Sequence, residues 1–181
     1  MDTPSDAGFG RIPERNTGDN LLRTAQQHHV ALSGMADTKA NILITVSSIV
    51  LTLSLGRMGE PSLRTSVLIL DGFTLVALLL AILAILPKYR PRKLREGRLP
   101  DDFNLLFFGH FADLPRERYL AEMRRLLQPD GSPYLAWAND VYSLGSYLAH
   151  HKYRYLRLSY LCFLAGFVLA SAIELIHLVA A

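Results

Sequence analysis

The sequence predicts an all-α membrane protein: three transmembrane helices, with long helices extending into a cytoplasmic helical sensor region. Three observations lead there. Half of the 181 residues are apolar, and they gather in three runs, residues 40–55, 67–86 and 158–181. A bilayer core takes roughly 20 mostly apolar residues in helix, a length that the second and third runs reach. The first is shorter, but its Ser and Thr are tolerated in a helix, and it can extend to Met58. Second, the middle run is apolar around its whole circumference, whereas a helix of a soluble bundle keeps a polar face. Third, thirteen Lys and Arg fall between Pro87 and Arg157, against only Arg57 and Arg64 in residues 56–66. The positive-inside rule then puts the central segment and the N-terminus in the cytoplasm and the C-terminus outside. No early apolar run with a small-residue cleavage pattern is present, so no signal peptide is expected.

The elements follow in order. Residues 1–18 are rich in Gly, Pro, Asp and Thr without periodicity, the composition of a disordered tail. Residues 19–39 form a cytoplasmic helix, because Leu21, Leu22, Ala25, Leu32, Met35 and Ala36 keep a 3.6-residue period. Nothing breaks the chain before the first span, residues 40–58, so one continuous helix enters the bilayer. The second span, 67–86, ends at Pro87, which cannot continue the hydrogen-bond ladder. The cytoplasmic segment, 87–157, opens with a basic loop, "PKYRPRKLREGR". "DDFNLLFFGHFADL" follows as a short helix or turn interrupted by Gly109. In "DLPRERYLAEMRRLLQ" Asp113 is expected to cap a helix, with Pro115 in its first turn and Glu117 at the positive end of the dipole. "PDGSP" is a turn. From Tyr134 a proline-free stretch keeps helical spacing through Leu135, Ala138, Val141, Tyr142, Leu144, Leu148, Tyr155 and Leu156, and passes into the third span, 158–178. About 40 residues at 1.5 Å each make ~60 Å, twice the membrane thickness. There is no internal repeat.

The chemistry-bearing residues favour binding over catalysis. His28–His29 and His150–His151 lack an HExxH frame, a CxxC pair or a His-Asp dipeptide, so no metal site is expected, and no phosphate-cradling glycine loop or GxSxG occurs. The single cysteine, Cys162, excludes an intrachain disulfide. Asp37, Asn41, Thr45, Ser48 and Thr52, spaced by 4, 4, 3 and 4, line one face of the first long helix. Such a stripe fits helix–helix contact; the other reading is a water-accessible surface formed when protomers rearrange. Lys39 lies on a different face, so it does not pair with Asp37. Asp71, Glu174 and His177 fall near the outer ends of the spans, where interfacial solvation is the expected state. The six basic residues of 88–98, with Glu96 alone against them, fit topology and attraction to anionic lipid, and a patch pressed on a membrane is unsuited to a nucleic-acid polymer. A small phosphate ligand needs only one or two cations, a few donors and an aromatic surface. Lys39, Lys152, Arg154 and Arg157, with Phe107, Phe108, Tyr142, Tyr153 and Tyr155, supply these types; the competing reading of the aromatics is core packing.

Three stretches together carry a family resemblance. "ADTKANILITVSSIVLTLSL" resembles the first membrane segment of the Pycsar effector membrane proteins, with its Asp-x-Lys-Ala-Asn/Ser motif. "LLFFGHFADLPRERYLAEM" is similar to the family's Phe-Phe-Gly segment and Tyr-bearing helix, and "DVYSLGSYLAHHKYRYLRLSY" to its closing Tyr…Lys-Tyr-x-x-Leu helix. The resemblance covers residues 20 to 178. It implies a bacterial antiphage effector of the inner membrane. A partner cyclase makes cyclic UMP or cyclic CMP on infection, and the effector binds it and damages the membrane before phage mature. The His-Asp phosphohydrolase domain carried by some relatives is lacking, so the expectation is a non-enzyme with no catalytic residue and no cofactor.

The residues matching the motifs are Asp37, Lys39 and Asn41; Phe107, Phe108 and Gly109; and Tyr142, Lys152, Tyr153 and Leu156. The candidate ligand-binding set is Asp37, Lys39, Asn41, Phe107, Phe108, Tyr142, Lys152, Tyr153 and Arg154. Lys39, Lys152 or Arg154 is expected to meet the cyclic phosphate, with an aromatic stacked on the base. The partners implied are the cyclic pyrimidine mononucleotide, membrane lipid and further copies of the chain, since one polar stripe is too little for a pore within a single chain. Two other readings remain: a sensor of another cyclic nucleotide messenger, and a membrane scaffold that binds a protein partner.

Overall fold

A computed structural model describes residues 15–87, 99–100, 103–129 and 132–180. Residues 1–14 of the expected tail (1–18) and the basic loop at 88–98 lie outside the described residues; residues 15–18, expected in the tail, are already helical. Among the described residues no strand occurs and 83% are helical, so the fold is all-α. Three of its helices are long and apolar enough to cross a membrane.

Helix α1 (Arg15–Leu55) is one unbroken helix of 41 residues. It stops three residues short of Met58, where the Arg57 and Met58 amides turn back onto the Ser54 and Leu55 carbonyls. Helix α2 (Arg64–Ile85) ends with Leu86 in extended conformation, φ −61°, ψ 121°, as a residue before proline is forced to be. Helix α3 (Phe108–Phe111) is a single turn. Helix α4 (Arg116–Leu126) has Pro115 at its N-cap and no side-chain cap bond. The N-cap position is thus Pro115 in place of the expected Asp113, and Pro115 precedes the first turn instead of lying in it. Helix α5 (Pro133–Tyr147) continues through a π-helical turn (Leu148–Lys152) into α6 (Tyr153–Ala180), an uninterrupted helical stretch of 48 residues.

The chain divides into two compact units, Met1–Val30 with Pro87–Ser146, and Ala31–Leu86 with Tyr147–Ala181. The second holds the apolar runs, and its packing inverts that of a soluble protein. The buried face of α2 is Ser66, Val67, Asp71, Thr74, Ala77, Ala81 and Ala84; α6 contributes Leu156, Ser159, Gly166 and Ala170. On α1 the buried positions are Ala36, Ala40, Leu43, Ser47 and Ser54. Small residues face inward so that backbones approach closely. The large ones, such as Leu53, Leu79, Leu164 and Phe167, face outward, where lipid solvates them.

Two expectations about polar residues are corrected here. The Asn41–Thr45–Ser48–Thr52 stripe is exposed rather than packed on a neighbouring helix of the chain. The Thr45, Ser48 and Thr52 hydroxyls donate to the carbonyls four residues back, and so need no neighbour. The α1 contact face is the adjacent one, where side chains are small enough for close approach. Asp71 is not solvated at an interface: it is buried and accepts a hydrogen bond from Ser54. Glu174, half-buried, accepts one from Ser66, while His177 is exposed.

The first unit is held by a polar network. The buried Asp140 carboxylate accepts Gln26 Nε2–H at 3.0 Å and Asn104 Nδ2–H at 2.7 Å. Gln26 in turn accepts the Trp137 indole N–H at 3.2 Å, and Tyr134 donates its hydroxyl to Asp19. Each link ties α5 to α1 or to the segment before α3. Asp140→Ala leaves two amide donors without their acceptor, and is expected to cost about 1–3 kcal/mol; detergent-phase thermal unfolding followed by helical circular dichroism measures it.

Candidate ligand site where α1 meets α6

Motifs far apart in sequence meet in the second unit, and the π-turn is the local reason. A π-turn widens the helix by closing i to i+5 hydrogen bonds and is often found at functional sites. Here it brings Lys152 onto α1, whose Ser33 and Asp37 stand one helical turn apart. The Lys152 ammonium donates to Ser33 Oγ at 2.8 Å and to the two Asp37 carboxylate oxygens at 2.7 and 2.8 Å. An ammonium has three donors, and three acceptors surround it. The Lys152 side chain is 11% exposed, that of Asp37 42%. Burial first, and the Asp37 charge second, hold the Tyr147 phenol above its ordinary value.

Two tyrosines of α6 complete the join. Tyr153 donates its hydroxyl to the Leu32 carbonyl at 3.1 Å, and Tyr160 to the Lys39 carbonyl at 3.3 Å. Beneath them Ala36, Ala40, Ala84 and Leu156 form an apolar core, with Tyr153, Tyr155 and Ile85 packed against it. A groove of about 440 Å³ opens above, lined by Lys39, Tyr153, Leu156, Arg157 and Tyr160. Positions 153, 156, 157 and 160 share one face of α6 by helical spacing. Lys39 and Arg157 are exposed, each directly before an apolar run, and among the described residues neither has a carboxylate within ion-pair reach.

The candidate residues thus divide. Asp37, Lys39, Lys152 and Tyr153 come together at this join, but Lys152 is spent on Asp37 and Ser33. Asn41 and Arg154 are exposed on the same helices and do not line the groove. Phe107, Phe108 and Tyr142 belong to the other unit, and all three are exposed rather than core. There the Phe107 ring folds over Gly109, where an added Cβ would lie 2.5 Å from a ring carbon, and meets the rings of Phe108 and His110 at 5.1 and 5.3 Å. His110 Nδ1 accepts the Asn104 amide at 2.9 Å. Among the described residues no group of three or more His, Cys, Asp or Glu is placed to hold a metal ion. The candidate set lacked Tyr160 and Ser33, and it left out Arg157, named only among the cations of the segment. Helical spacing from Tyr153 marks Arg157 and Tyr160; nothing in the sequence marks the π-turn that turns Lys152 inward.

A family model described as the Pycsar effector protein domain matches residues 20–178. Neither curated proteins nor solved structures gave a match.

Proposed function

This chain belongs to the Pycsar effector family, and from that premise we propose that it binds a cyclic pyrimidine mononucleotide, cyclic UMP or cyclic CMP, and then impairs the integrity of the bacterial inner membrane. The coarser role is antiphage defence by a membrane protein. The observation that carries the finer reading is the family match across both apolar and polar segments, 20 to 178, so that membrane spans and sensor region fall within one family domain. The chain acts without catalysis: it is a receptor whose output is a change in the membrane. The N-terminus and central segment lie in the cytoplasm, where a messenger made by a partner cyclase is available, and the C-terminus lies outside.

A ligand shifts an equilibrium only through its different affinity for the two states. The bound state in this proposal is a homo-oligomer in which the exposed Asn41–Thr45–Ser48–Thr52 stripes of several copies face one another. The hydroxyls now bonded to their own helix then become available to water or to neighbouring copies. A structural scaffold binding a protein partner accounts for the helices but not for the family.

Equilibrium binding of the detergent-purified protein to cyclic UMP, cyclic CMP, cyclic AMP and a cyclic dinucleotide tests this. Saturable binding of one pyrimidine messenger at least tenfold tighter than the others is the expected result. Preference for cyclic AMP or the dinucleotide would transfer the role to another messenger, and no binding by folded protein would overturn the sensor role.

A further inference from the structure

We infer that the groove between Lys39 and Arg157 is a binding site for one phosphodiester monoanion, and that Lys152 positions this site instead of touching the ligand. The inference rests on the proposed function for its first candidate ligand. Its chemistry, however, is shared by two sources: the phosphate of a cyclic mononucleotide and that of a glycerophospholipid head group are both phosphodiesters with a single negative charge.

Four observations carry it. Lys39 and Arg157 are exposed cations from two different helices on one groove of about 440 Å³. No carboxylate neutralises either among the described residues, so the pair leaves local positive charge unanswered. Arg157 brings a planar fork suited to two phosphate oxygens, and Lys39 a point charge. Tyr153, Leu156 and Tyr160 complete the lining, aromatic and apolar side chains suited to a single-ring base or to the first carbons of a glyceride. By contrast, the Lys152 donors are all occupied by Ser33 and Asp37, and an anion there would first have to displace a carboxylate from a buried ammonium. The Asp37 pair instead sets α1 against α6, and with it the separation of Lys39 from Arg157.

The test uses the full chain with Lys39→Gln, Arg157→Gln, both together, and Arg64→Gln, an exposed cation at the start of α2 that does not line the groove. One arm measures binding of cyclic UMP and cyclic CMP in detergent. The other measures retention of phosphatidylglycerol against phosphatidylcholine by native mass spectrometry. Circular dichroism melting confirms that the variants fold. The expected result is at least a tenfold loss of phosphodiester binding in each single groove variant, a larger loss in the double variant, and none in Arg64→Gln. Wild-type nucleotide binding that survives unchanged in the double variant would overturn the inference and leave the proposed function standing. No nucleotide binding, with phosphatidylglycerol retained by the wild type and lost by the double variant, would assign the site to lipid and overturn the proposed function. Retention of neither probe by the wild type would overturn the site.

Discussion

Asp37→Ala is expected to destabilise the protein more than Lys152→Met, although the two residues form one ion pair. The asymmetry comes from burial. With Asp37 gone, an ammonium whose side chain is only 11% exposed keeps a single acceptor, Ser33 Oγ. A buried charge left without its partner costs several kcal/mol, and partial rehydration past the vacated position brings the expected loss to about 2–4 kcal/mol. With Lys152 replaced by Met, the stem volume is kept and the Asp37 side chain, 42% exposed, is solvated by water; about 1 kcal/mol is expected. The double variant Asp37→Ala/Lys152→Met is expected to recover most of the loss of Asp37→Ala, because it removes the stranded charge along with its partner. Denaturant unfolding in detergent, read by helical circular dichroism, gives all three values. Equal losses for the single variants, or strict additivity in the double, would show the pair to be solvated and would remove its role in fixing α1 against α6.

Much of this architecture is legible in sequence because hydrophobicity in a membrane chain is close to one-dimensional. Runs of apolar residues have to be helical, since no water satisfies the backbone in lipid, and Pro87 has to end α2. The site is only half legible. Asp37, Lys39, Lys152 and Tyr153 can be picked out as polar or aromatic residues at the end of an apolar run. Which partner each takes depends on helix rotation, and the π-turn at Leu148–Lys152 shifts that rotation without altering the hydrophobic pattern. The same limit explains the polar stripe. Spacing groups Asn41, Thr45, Ser48 and Thr52 on one face, but whether that face is inside depends on where small residues permit contact. Ala36, Ala40 and Ser47 stand one position away and win it. Asp71 deceives for a related reason: its distance from the end of the run reads as interfacial, while its burial depends on Ser54 arriving from α1.

Gly166→Ala is expected to weaken the packing of α6 on α2, against the direction that helix propensity alone would give. An isolated helix gains about 1 kcal/mol from this exchange. At position 166, however, the new Cβ would meet Phe73 Cβ, and the Leu70 carbonyl oxygen lies 3.7 Å away. Phe73 Cβ is fixed to the α2 backbone, so no rotation of the ring relieves the overlap and the helices have to separate. Overpacking of this kind costs about 1–3 kcal/mol, enough to reverse the propensity gain, and in lipid the lost contact is not replaced by a hydrophobic driving force between helices. Gly72→Ala and Gly34→Ala provide the contrast, since nothing stands within 4 Å of a Cβ at either position; both are expected to be neutral or stabilising in the same unfolding measurement. The identity of the clashing atom gives a sharper test. Phe73→Ala keeps the Cβ and is not expected to rescue Gly166→Ala, whereas Phe73→Gly removes it and is expected to restore close approach in spite of the lost ring. Rescue by Phe73→Ala would mean that the ring, not the backbone spacing, sets the contact. A Gly166→Ala protein as stable as Gly72→Ala would mean that α2 and α6 are free to move apart.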